Sequence, residues 1–560
     1  MSKRRKKWKV VDKMPANSLS SAIIEYVKCH AEFSSFKKIL SDLLIDLCAV
    51  PTIPEANTDC VIENESRLFN RLIRFLRKHA PRGSLELVPV SQAIHDHPFF
   101  TPPYYSASAD VYHGRNNLLY TSYPSAQAGT RSSLAFNAHI DTVAPFIPAK
   151  MINEFIHGRG AADDKGGCAA IAGAFLLLKD VAEKFHINYP FGLYGMFVID
   201  EETGGNGSLS MAIDRDLCSE IDTLVVVESF GHEIYPANRG AVWYKIETKA
   251  EENPKPLLFM ARIIKALEQM GRTLRKNSEH SLFPDKPVQT CQGILGAFGS
   301  HPSMICSELR LIVSTDCRKE TIEEIIQKAQ QEYFEEHESI RRGPGDISFI
   351  KIHQRDPDYL IEVTGTSGHM GSSLEKTNAI TLSAYLIEIL YESIQDIDIQ
   401  LSGNNTSPVL ILEGGQGFLP THSVAEIRDL LDMTVSEVWK EYTENTVYKG
   451  TEKPVLSTEK LHNEAFERKP DSKTIKMASG AASLLNIDIN KTIVGAPVSC
   501  DARIFAHEYP ELEVFTTGPG SLSEAHTDDE KISISDLCTG AAFLSLFTLF
   551  HQGILNLDDF

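Results

Sequence analysis

Several short runs of apolar residues in this chain end in carboxylate or imidazole side chains. A short continuous apolar run is typical of a strand that is buried on both faces of a parallel sheet. In such sheets, functional side chains lie at the carboxyl ends of the strands. The runs and their polar ends are Leu134-Ala-Phe-Asn-Ala-His139-Ile-Asp141, Phe197-Val-Ile-Asp200-Glu201-Glu202 and Leu224-Val-Val-Val-Glu228. The pattern predicts an α/β fold with a polar site at one edge of a mainly parallel sheet.

Two further segments add carboxylates and a second histidine. Residues 158–167 are rich in glycine and contain Asp163 and Asp164, and residues 525–530 contain His526. Histidines and carboxylates gathered in one place bind divalent metals, with Zn²⁺, Mn²⁺ and Co²⁺ the natural candidates. We therefore expect a metal centre at the sheet edge.

Strands and helices alternate between residues 134 and 227, and residues 169–178 have the Ala- and Leu-rich composition of a helix. This alternation predicts a mainly parallel sheet with helices on both faces. A strand and a long apolar helix are predicted in residues 531–550, and we expect them to complete the same domain.

The pattern changes between residues 238 and 449. Residues 242–248 and 359–364 alternate apolar and polar side chains, which is typical of a sheet with one solvated face. The order strand-helix-strand-helix occurs twice here and indicates an inserted, duplicated α+β domain. The predicted domains are an N-terminal extension, basic at its start, in residues 1–34, a metal-binding catalytic domain in residues 35–238 and 450–560, and the inserted domain in residues 239–449.

Net charge and cysteine usage disfavour binding to nucleic acid, binding to membranes and the presence of disulfides. The formal net charge of -20 disfavours binding to nucleic acid or to an anionic membrane, because both need a positive surface. Residues 3–9 are a basic exception, to which we assign no function. The ten cysteines include no Cys-x-x-Cys pair, and neither a secretory signal nor a membrane span is recognisable. We expect a cytoplasmic protein without disulfides that binds neither nucleic acid nor membranes.

The five polar segments, in this order and at these separations, resemble the M20 family of dinuclear metallopeptidases and amidohydrolases. That family includes aminoacylases, carnosinase-like dipeptidases, acetylornithine deacetylases and succinyl-diaminopimelate desuccinylases. The resemblance extends from about residue 35 to the C-terminus. It implies hydrolysis of an amide bond in a small N-acyl amino acid or dipeptide, with two divalent metal ions as cofactors. Zinc is the first choice for those ions, and cobalt and manganese are the alternatives.

The resemblance also implies a role for each predicted ligand. His139 and Glu228 bind the first metal, Glu202 and His526 bind the second, and Asp163 bridges the two. It further predicts a cis peptide bond after Asp163. A competing carboxylate, Asp222, is rejected as a ligand because it precedes its apolar run and so lies at the wrong end of the strand.

The resemblance also predicts the catalytic and the substrate-binding residues. Asp141 orients the imidazole of His139, and Glu201 is the general base that takes a proton from water and later gives it to the leaving amine. In the inserted domain, which corresponds to the lid of the family, His369 stabilises the oxyanion. The predicted substrate-binding residues of the lid are Arg318, for a substrate carboxylate, and Asn378, which follows His369 at the distance that the lid motif expects.

The lid departs from the common pattern in one respect. The strand at residues 242–248 is not followed by the glycine-histidine motif, which arrives only at His369, in the second copy of the repeat. A duplicated lid could complete the site within one chain, so we expect a monomer, with a dimer as the alternative. Two other functions remain open: a catalytically silent relative that binds a metabolite or serves as a scaffold, and a dinuclear phosphatase, which the lack of a basic cluster disfavours.

Overall fold

The computed structural model describes most of the chain. The described residues are 16–103, 105–106, 111–122, 133–249, 253–302, 304–337, 340, 349–355, 357–370, 376–403, 408–458, 462–488 and 493–557. The basic segment at residues 3–9 lies outside them, so the sequence interpretation of that segment stays a prediction.

The chain forms two compact units, and each is assembled from separate parts of the sequence. Unit 1 comprises Met1–Ala237, Glu467–Gly495 and Cys500–Phe560. Unit 2 comprises Asn238–Phe466 and Ala496–Ser499. The predicted division placed residues 450–466 in the catalytic domain, whereas the structure places them in unit 2.

The helices of both units are, in chain order, α1 Ala16–Glu32, α2 Ser34–Cys48, α3 Thr58–His79, α4 Lys165–Phe185, α5 Asn206–Ala212, α6 Arg215–Ser219, α7 Pro256–Asn277, α8 Lys319–Glu336, α9 Ala379–Ser393, α10 Val424–Glu444, α11 Lys473–Leu484, α12 Ala502–Glu508 and α13 Ile534–His551. A short 3-10 helix covers Gln92–Asp96.

The strands are β1 Gly83–Pro89, β2 Asn116–Ser122, β3 Ser133–His139, β4 Lys150–Ile152, β5 Phe155–His157, β6 Leu193–Val198, β7 Ile221–Val227, β8 Ala237–Asn238, β9 Gly240–Lys249, β10 Thr290–Leu295, β11 Met304–Ile305, β12 Glu308–Ser314, β13 Ile350–Arg355, β14 Asp358–Thr364, β15 Gly368–His369, β16 Asp398–Leu401, β17 Val409–Phe418, β18 Val455–Ser457, β19 His462–Asn463, β20 Phe466–Glu467, β21 Glu513–Thr517 and β22 Lys531–Ser533.

Unit 1 is built around a six-stranded sheet with the order β1-β2-β6-β3-β7-β21. Strands β6, β3, β7 and β21 run parallel, whereas β1 and β2 form antiparallel pairs at one edge. Strand β3 has a parallel neighbour on each side, and its residues from Leu134 to His139 are all buried. The predicted α/β fold with a mainly parallel sheet is confirmed.

Helix α4 forms the centre of the unit 1 core, where it packs against β3, α2 and α13. Small side chains on α4 allow these helices to approach closely. A Cβ atom added to Gly173 would lie 2.8 Å from Leu40 in α2 and 3.0 Å from Ala541 in α13. The predicted late helix at residues 531–550 is therefore an integral part of the unit 1 core.

Helices α1 and α13 pack against each other in unit 1. The predicted N-terminal extension contains α1, whose Ile23 and Val27 are fully buried and which packs against α13. Among the described residues, α13 alone is long and apolar enough to cross a membrane by length and composition, and 72% of it is buried inside the protein.

Unit 2 contains two large antiparallel sheets and the short antiparallel pair β11-β15. The first has the order β10-β17-β9-β18, with β19 also paired to β9, and the second has the order β13-β14-β12-β16. Helices α7 and α10 pack against the first sheet, and α8 and α9 pack against the second. Each sheet thus carries two long helices, as a duplicated α+β domain would.

The two copies are nested, and this differs from the predicted order. The tandem repeat grouped β9 with β12 and β14 with β17, whereas the structure pairs β9 with β17 and β12 with β14. Strand β9 also pairs with β18 and β19, which is why residues up to Phe466 belong to unit 2. The order of elements along a chain does not specify which strands form hydrogen-bonded ladders.

Candidate metal centre

The predicted metal ligands of unit 1 come together at the carboxyl ends of three adjacent strands. His139 is the last residue of β3, Glu202 follows β6, and Glu228 follows β7 directly. These strands are neighbours in the order β6-β3-β7. Asp163 comes from the loop before α4, and His526 from the loop before β22. The parallel sheet therefore gathers side chains that are far apart in sequence.

His139 is buried and lies between two carboxylates. Its Nε2 atom is 3.1 Å from Oδ1 of Asp163, and its Nδ1 atom is 3.1 Å from the carbonyl oxygen of Asp141 and 3.4 Å from Oδ1 of the same residue. Burial alone would lower the pKa of His139, but the hydrogen bonds with Asp141 and Asp163 raise it well above its ordinary value. One ring nitrogen is thus held by Asp141, and the other points at Asp163.

Asp163 lies between the two predicted histidine ligands. Its Oδ2 atom is 3.3 Å from Nε2 of His526, which is also 3.0 Å from Oε1 of Glu202. Burial lowers the pKa of His526, but Glu202 and Asp163 together raise it to about 11. Burial alone would raise the pKa of Asp163, whereas the hydrogen bonds with the two imidazoles lower it far below its ordinary value. Each oxygen of Asp163 faces a different histidine, the arrangement that a bridging ligand needs.

Asp141 connects His139 to the acidic turn after β6. Its Oδ1 atom accepts a hydrogen bond of 3.2 Å from the backbone amide of Glu201, and its Oδ2 atom accepts one of 3.0 Å from that of Glu202. The predicted partnership of Asp141 with His139 is present, mainly through the backbone carbonyl. The carboxylate itself holds the backbone of the turn.

The peptide bond between Asp163 and Asp164 is cis, as predicted. Asp164 accepts hydrogen bonds of 3.3 Å from the amide of His139 and 3.2 Å from the amide of Gly167, so it caps α4. A Cβ atom on Gly167 would lie 2.2 Å from the Asp164 carboxylate, which explains the glycine at this position. Both oxygens of Asp164 are therefore engaged by backbone donors.

Two overlapping groups of side chains have the geometry to hold a divalent ion. In the first, one ligand atom each from His139, Asp163 and Glu202 lie within 4.8 Å of one another. In the second, the same holds for His139, Asp164 and Glu228. This second group differs from the predicted first site only in that Asp164 stands in place of Asp163. Two adjacent carboxylates are therefore candidates for the same ligand position.

Buried carboxylates dominate the electrostatics of the centre. Burial, together with neighbouring Asp164, raises the pKa of Glu228 well above its ordinary value, and burial with neighbouring Asp501 does the same for Glu201. An uncompensated group of buried carboxylates is unfavourable, and divalent cations would offset it. The donor set of imidazole nitrogens and carboxylate oxygens therefore fits two such ions.

Three residues of the centre were missed by the sequence interpretation. Oε1 of Glu530 accepts hydrogen bonds of 3.0 Å from the backbone amides of Ala162 and Asp163, and its Oε2 atom is 2.6 Å from Nη1 of buried Arg159. Asp501, which precedes α12, is buried and is the carboxylate that most affects Glu201. Arg159 and Glu530 lie inside the segments 158–167 and 525–530, which the sequence analysis singled out without giving these two residues a role. Asp501 lies outside those segments, so no signal pointed to it.

The predicted residues of unit 2 lie at the ends of its elements. His369 is in β15, where its backbone pairs with Met304 of β11. Asn378 caps α9: its side chain accepts hydrogen bonds from the amides of Ile380 and Thr381 and donates one of 2.7 Å to the carbonyl of Gln292. Their predicted roles toward a substrate stay predictions.

Two arginines of unit 2 have contrasting environments. Arg318 is exposed at the start of α8. Arg239, which the sequence interpretation missed, is 2% exposed, and burial lowers its pKa to about 10. Within the described residues, the Nε and Nη1 atoms of Arg239 have no hydrogen-bond partner. A buried guanidinium with free donors is suited to bind an anion.

Sequence comparison identifies relatives that match short parts of the chain. A probable carboxypeptidase of Aspergillus terreus is 44% identical over 89 residues, which are 15% of this chain and 19% of that protein. A probable carboxypeptidase of Arthroderma benhamiae is 29% identical over 142 residues, which are 24% of this chain and 30% of that protein. The aligned segments thus span about a third or less of these relatives.

Solved structures are similar over nearly the whole chain. Human carnosine dipeptidase 1 has a TM-score of 0.56 at 12% identity, over 95% of this chain and 100% of that one. The di-peptidase Dug1p of Saccharomyces cerevisiae has a TM-score of 0.56 at 10% identity, over 96% and 99%. An M20 family metallo-carboxypeptidase of Sulfolobus solfataricus has a TM-score of 0.52 at 13% identity, over 92% and 99%. At these identities the likeness establishes the fold.

The family follows from a match over most of the chain. The model of a family described as Peptidase family M20/M25/M40 matches residues 135–549. That range contains all the predicted metal ligands, from His139 at the end of β3 to His526 before β22. The sequence resemblance is therefore confirmed, and the chain belongs to peptidase family M20/M25/M40.

Proposed function

We propose that this protein is a metal-dependent hydrolase that cleaves an amide bond in a small peptide or N-acyl amino acid with a free carboxylate. The observation that carries the proposal is the position of Asp163, whose Oδ1 atom is 3.1 Å from Nε2 of His139 and whose Oδ2 atom is 3.3 Å from Nε2 of His526. The curated relatives are named probable carboxypeptidases, and two similar structures are of dipeptidases. A silent scaffold is not favoured, because every predicted ligand of unit 1 and Glu201 are present.

In this proposal His139, Glu228, Glu202 and His526 hold two divalent ions, and Asp163 bridges them. Asp163 is preferred to Asp164 as the bridge because both oxygens of Asp164 already accept backbone hydrogen bonds. Divalent ions at such a site supply Lewis acidity, which polarises a carbonyl group and acidifies water. Zinc is the proposed metal.

The chain's own residues then position the reactants and move the proton. Asp141 fixes the backbone of Glu201 and Glu202 through their amides. Glu201, whose pKa is raised by burial and by Asp501, takes a proton from water and gives it to the leaving amine. His369 of unit 2 stabilises the oxyanion as the tetrahedral intermediate forms.

Metal reconstitution followed by a substrate panel tests the proposal. Chelator-treated protein is reloaded with Zn²⁺, Co²⁺ or Mn²⁺, its metal content is measured by elemental analysis, and N-acetyl amino acids, N-succinyl amino acids and dipeptides are assayed. We expect two ions per chain and turnover of at least one substrate class. Full metal loading without hydrolysis of any class would contradict the proposal, and full activity with at most one ion would contradict the bridge.

For the substrate carboxylate we propose Arg239 in addition to the predicted Arg318. Arg239→Gln should raise KM for a dipeptide with a free carboxylate and leave KM for its methyl ester nearly unchanged, because only the former carries the anion. Arg318→Gln is the matched variant for an exposed arginine. If Arg318→Gln alone shows this selectivity, the carboxylate binds there.

We further propose that one chain completes the site, with His369 supplied by the same molecule. Inactive His369→Ala protein is mixed with inactive Glu201→Gln protein, and activity and mass by light scattering are measured. A monomer gives no recovered activity, since each molecule still lacks one essential group. Recovered activity would show that the histidine is exchanged between chains and would leave the hydrolase proposal intact.

A further inference from the structure

A buried network of charges lies behind the acidic turn that carries Glu201 and Glu202. Arg115, just before β2, is 1% exposed and forms a bidentate pair with Asp200: Nη1 is 2.9 Å from Oδ2 and Nη2 is 2.6 Å from Oδ1. On its other side, the guanidinium is 2.5 Å from Oε1 of Glu65 in α3. The hydroxyl of Tyr105 donates a hydrogen bond of 2.8 Å to Oδ2 of Asp200.

Stability alone gives little reason for this network. Removing three charged groups from water is unfavourable, and apolar side chains of similar volume often stabilise such a position as well or better. The Arg115 side chain and that of Asp200 are both 0% exposed, so the full desolvation cost applies to each. A buried ionic network of this kind is better explained by the geometry that it enforces.

Asp200 has an unusual backbone conformation at a decisive position. Its φ of +61° is left-handed, which non-glycine residues adopt infrequently. It follows β6 and directly precedes Glu201, and its carbonyl accepts a hydrogen bond of 2.7 Å from the amide of Gly205. The bidentate contact with Arg115 fixes both the side chain and the direction in which the chain leaves the strand.

A second buried arginine holds the other end of the same turn. Nη2 of Arg503 donates a hydrogen bond of 2.9 Å to the carbonyl of Gly204. The turn is thus held at Asp200 by Arg115, in its middle by Asp141 through the amides of Glu201 and Glu202, and at Gly204 by Arg503. Of these three contacts, only the one through Arg115 is an ion pair.

We propose that Arg115 and Asp200 are a positioning pair that sets the orientation of the two carboxylates that follow. The pair directs Glu202 toward the second metal position and Glu201 toward the reacting water. The inference rests on the proposed function, because it concerns the same carboxylates. Neither residue of the pair touches substrate or metal; both act through the backbone of the turn.

Asp200→Asn is the first test. Asparagine keeps the side-chain shape and tolerates the left-handed conformation, but it loses the charge that pairs with Arg115. We expect titration with Co²⁺, followed by visible absorption, to show an unchanged first ion and a second ion weakened by about 10- to 100-fold. In the Co²⁺-saturated variant, kcat should fall while KM stays close to that of the wild type.

A matched carboxylate controls for a general effect of the substitution. Asp222, at the amino end of β7 in the same unit, has its Oδ1 atom 3.2 Å from Nε2 of His551. Asp222→Asn removes a charge partner at the opposite end of the sheet and should leave Co²⁺ binding and kcat as in the wild type. The thermal midpoint of both variants shows how much of each effect is loss of fold.

Arg115→Lys is the second variant and remains informative where Asp200→Asn does not fold. Lysine keeps a cation between Glu65 and Asp200 but cannot form the bidentate pair, so the second ion should again be the one that is weakened. Normal binding of both ions in a folded Arg115→Lys or Asp200→Asn protein would overturn the proposal and leave the network a purely structural role. Failure of the wild type to bind two ions would instead count against the proposed function.

Discussion

The two units of this chain differ in how they bury charged side chains. In the described part of unit 2, the buried charged residues are Arg239 and Glu268. Those of unit 1 are far more numerous: Glu65, Arg115, His139, Asp141, Arg159, Asp163, Asp164, Lys165, Asp200, Glu228, His232, Asp501, Arg503 and Glu530. Most of the latter lie at or behind the carboxyl ends of β3, β6 and β7.

The sheets of the two units explain this difference. Strand β3 is covered on both faces and buries six consecutive residues, whereas β12 of unit 2 alternates buried with more exposed positions. Charges at the end of a doubly covered strand are removed from water and must find partners inside the protein. Unit 1 therefore needs arginines, backbone amides and, as proposed, metal ions to compensate its carboxylates, whereas unit 2 leaves most of its charges in water.

The largest expected effect is the loss of activity in Glu201→Gln, a substitution among the carboxylates of unit 1. In the proposed function this side chain moves the proton without binding metal, so kcat should fall by about 10² to 10⁴-fold while two ions remain bound. Glu202→Gln should instead lose the second ion. Activity assays and elemental analysis of both variants check this. If Glu201→Gln loses the second ion and Glu202→Gln keeps both, the two roles are exchanged.

Truncation of a buried side chain should destabilise mainly the unit in which that side chain lies. Leu412→Ala in β17, a fully buried position of unit 2, should cost about 2–5 kcal/mol in the free energy of unfolding of that unit. Metal content should not change. Leu134→Ala in β3 is the matched truncation in unit 1 and should weaken metal binding, because it loosens the strand that ends at His139. Hydrogen exchange of peptides from β17 and β3 separates the two losses, and equal loss in both units would mean that they unfold together.

Metal binding should stabilise one unit selectively. A ligand at 100 times its Kd stabilises the folded state by about 2.7 kcal/mol. Reloading chelator-treated protein with Zn²⁺ should therefore slow hydrogen exchange in β3 and β6 but not in β9. Equal protection of β9 would show that the ions stabilise both units, and no protection in β3 would argue against the metal centre.

The smallest expected difference concerns helix caps. Ser423 forms a capping box with Glu426 at the start of α10 in unit 2, whereas Ser472 makes a single capping hydrogen bond at the start of α11 in unit 1. Ser423→Ala should cost about 1 kcal/mol, and Ser472→Ala less, because the Ser423 hydroxyl makes two hydrogen bonds, with the backbone amide and the carboxylate of Glu426, whereas the Ser472 hydroxyl makes one, with the amide of Ile475. Thermal unfolding of both variants measures this order, and activity should be unaffected in each.

Prediction from sequence succeeded where a local pattern determines the structure. The apolar runs that end at His139 and Glu228 predicted buried parallel strands, because the side chains of a doubly covered strand must be apolar along its length. The order β3, α4, β6 and β7 was also predicted, whereas the short strands β4 and β5 were not. Strand pairing in unit 2 was not, since alternating strands look alike whichever partner they take.

Several parts of the site had no local signal. Arg115 is far in sequence from Glu65 and Asp200, and a single arginine before a strand is usually exposed. Asp501 likewise occurs alone between two apolar segments. Their burial depends on elements that meet only after the chain has folded.

By itself, the sequence determined the class of fold, the order of the main strands and helices of unit 1 and the identity of the candidate ligands, because these depend on residue type and short spacing. Only the tertiary structure decided which oxygen faces which nitrogen. It placed Asp163 between His139 and His526, engaged the Asp164 carboxylate with a backbone amide at the start of α4, and paired β9 with β17. The contacts of Asp163 with His526 and of β9 with β17 join residues far apart in the sequence, which a parallel sheet and a nested insertion bring together and which no short segment of the chain encodes.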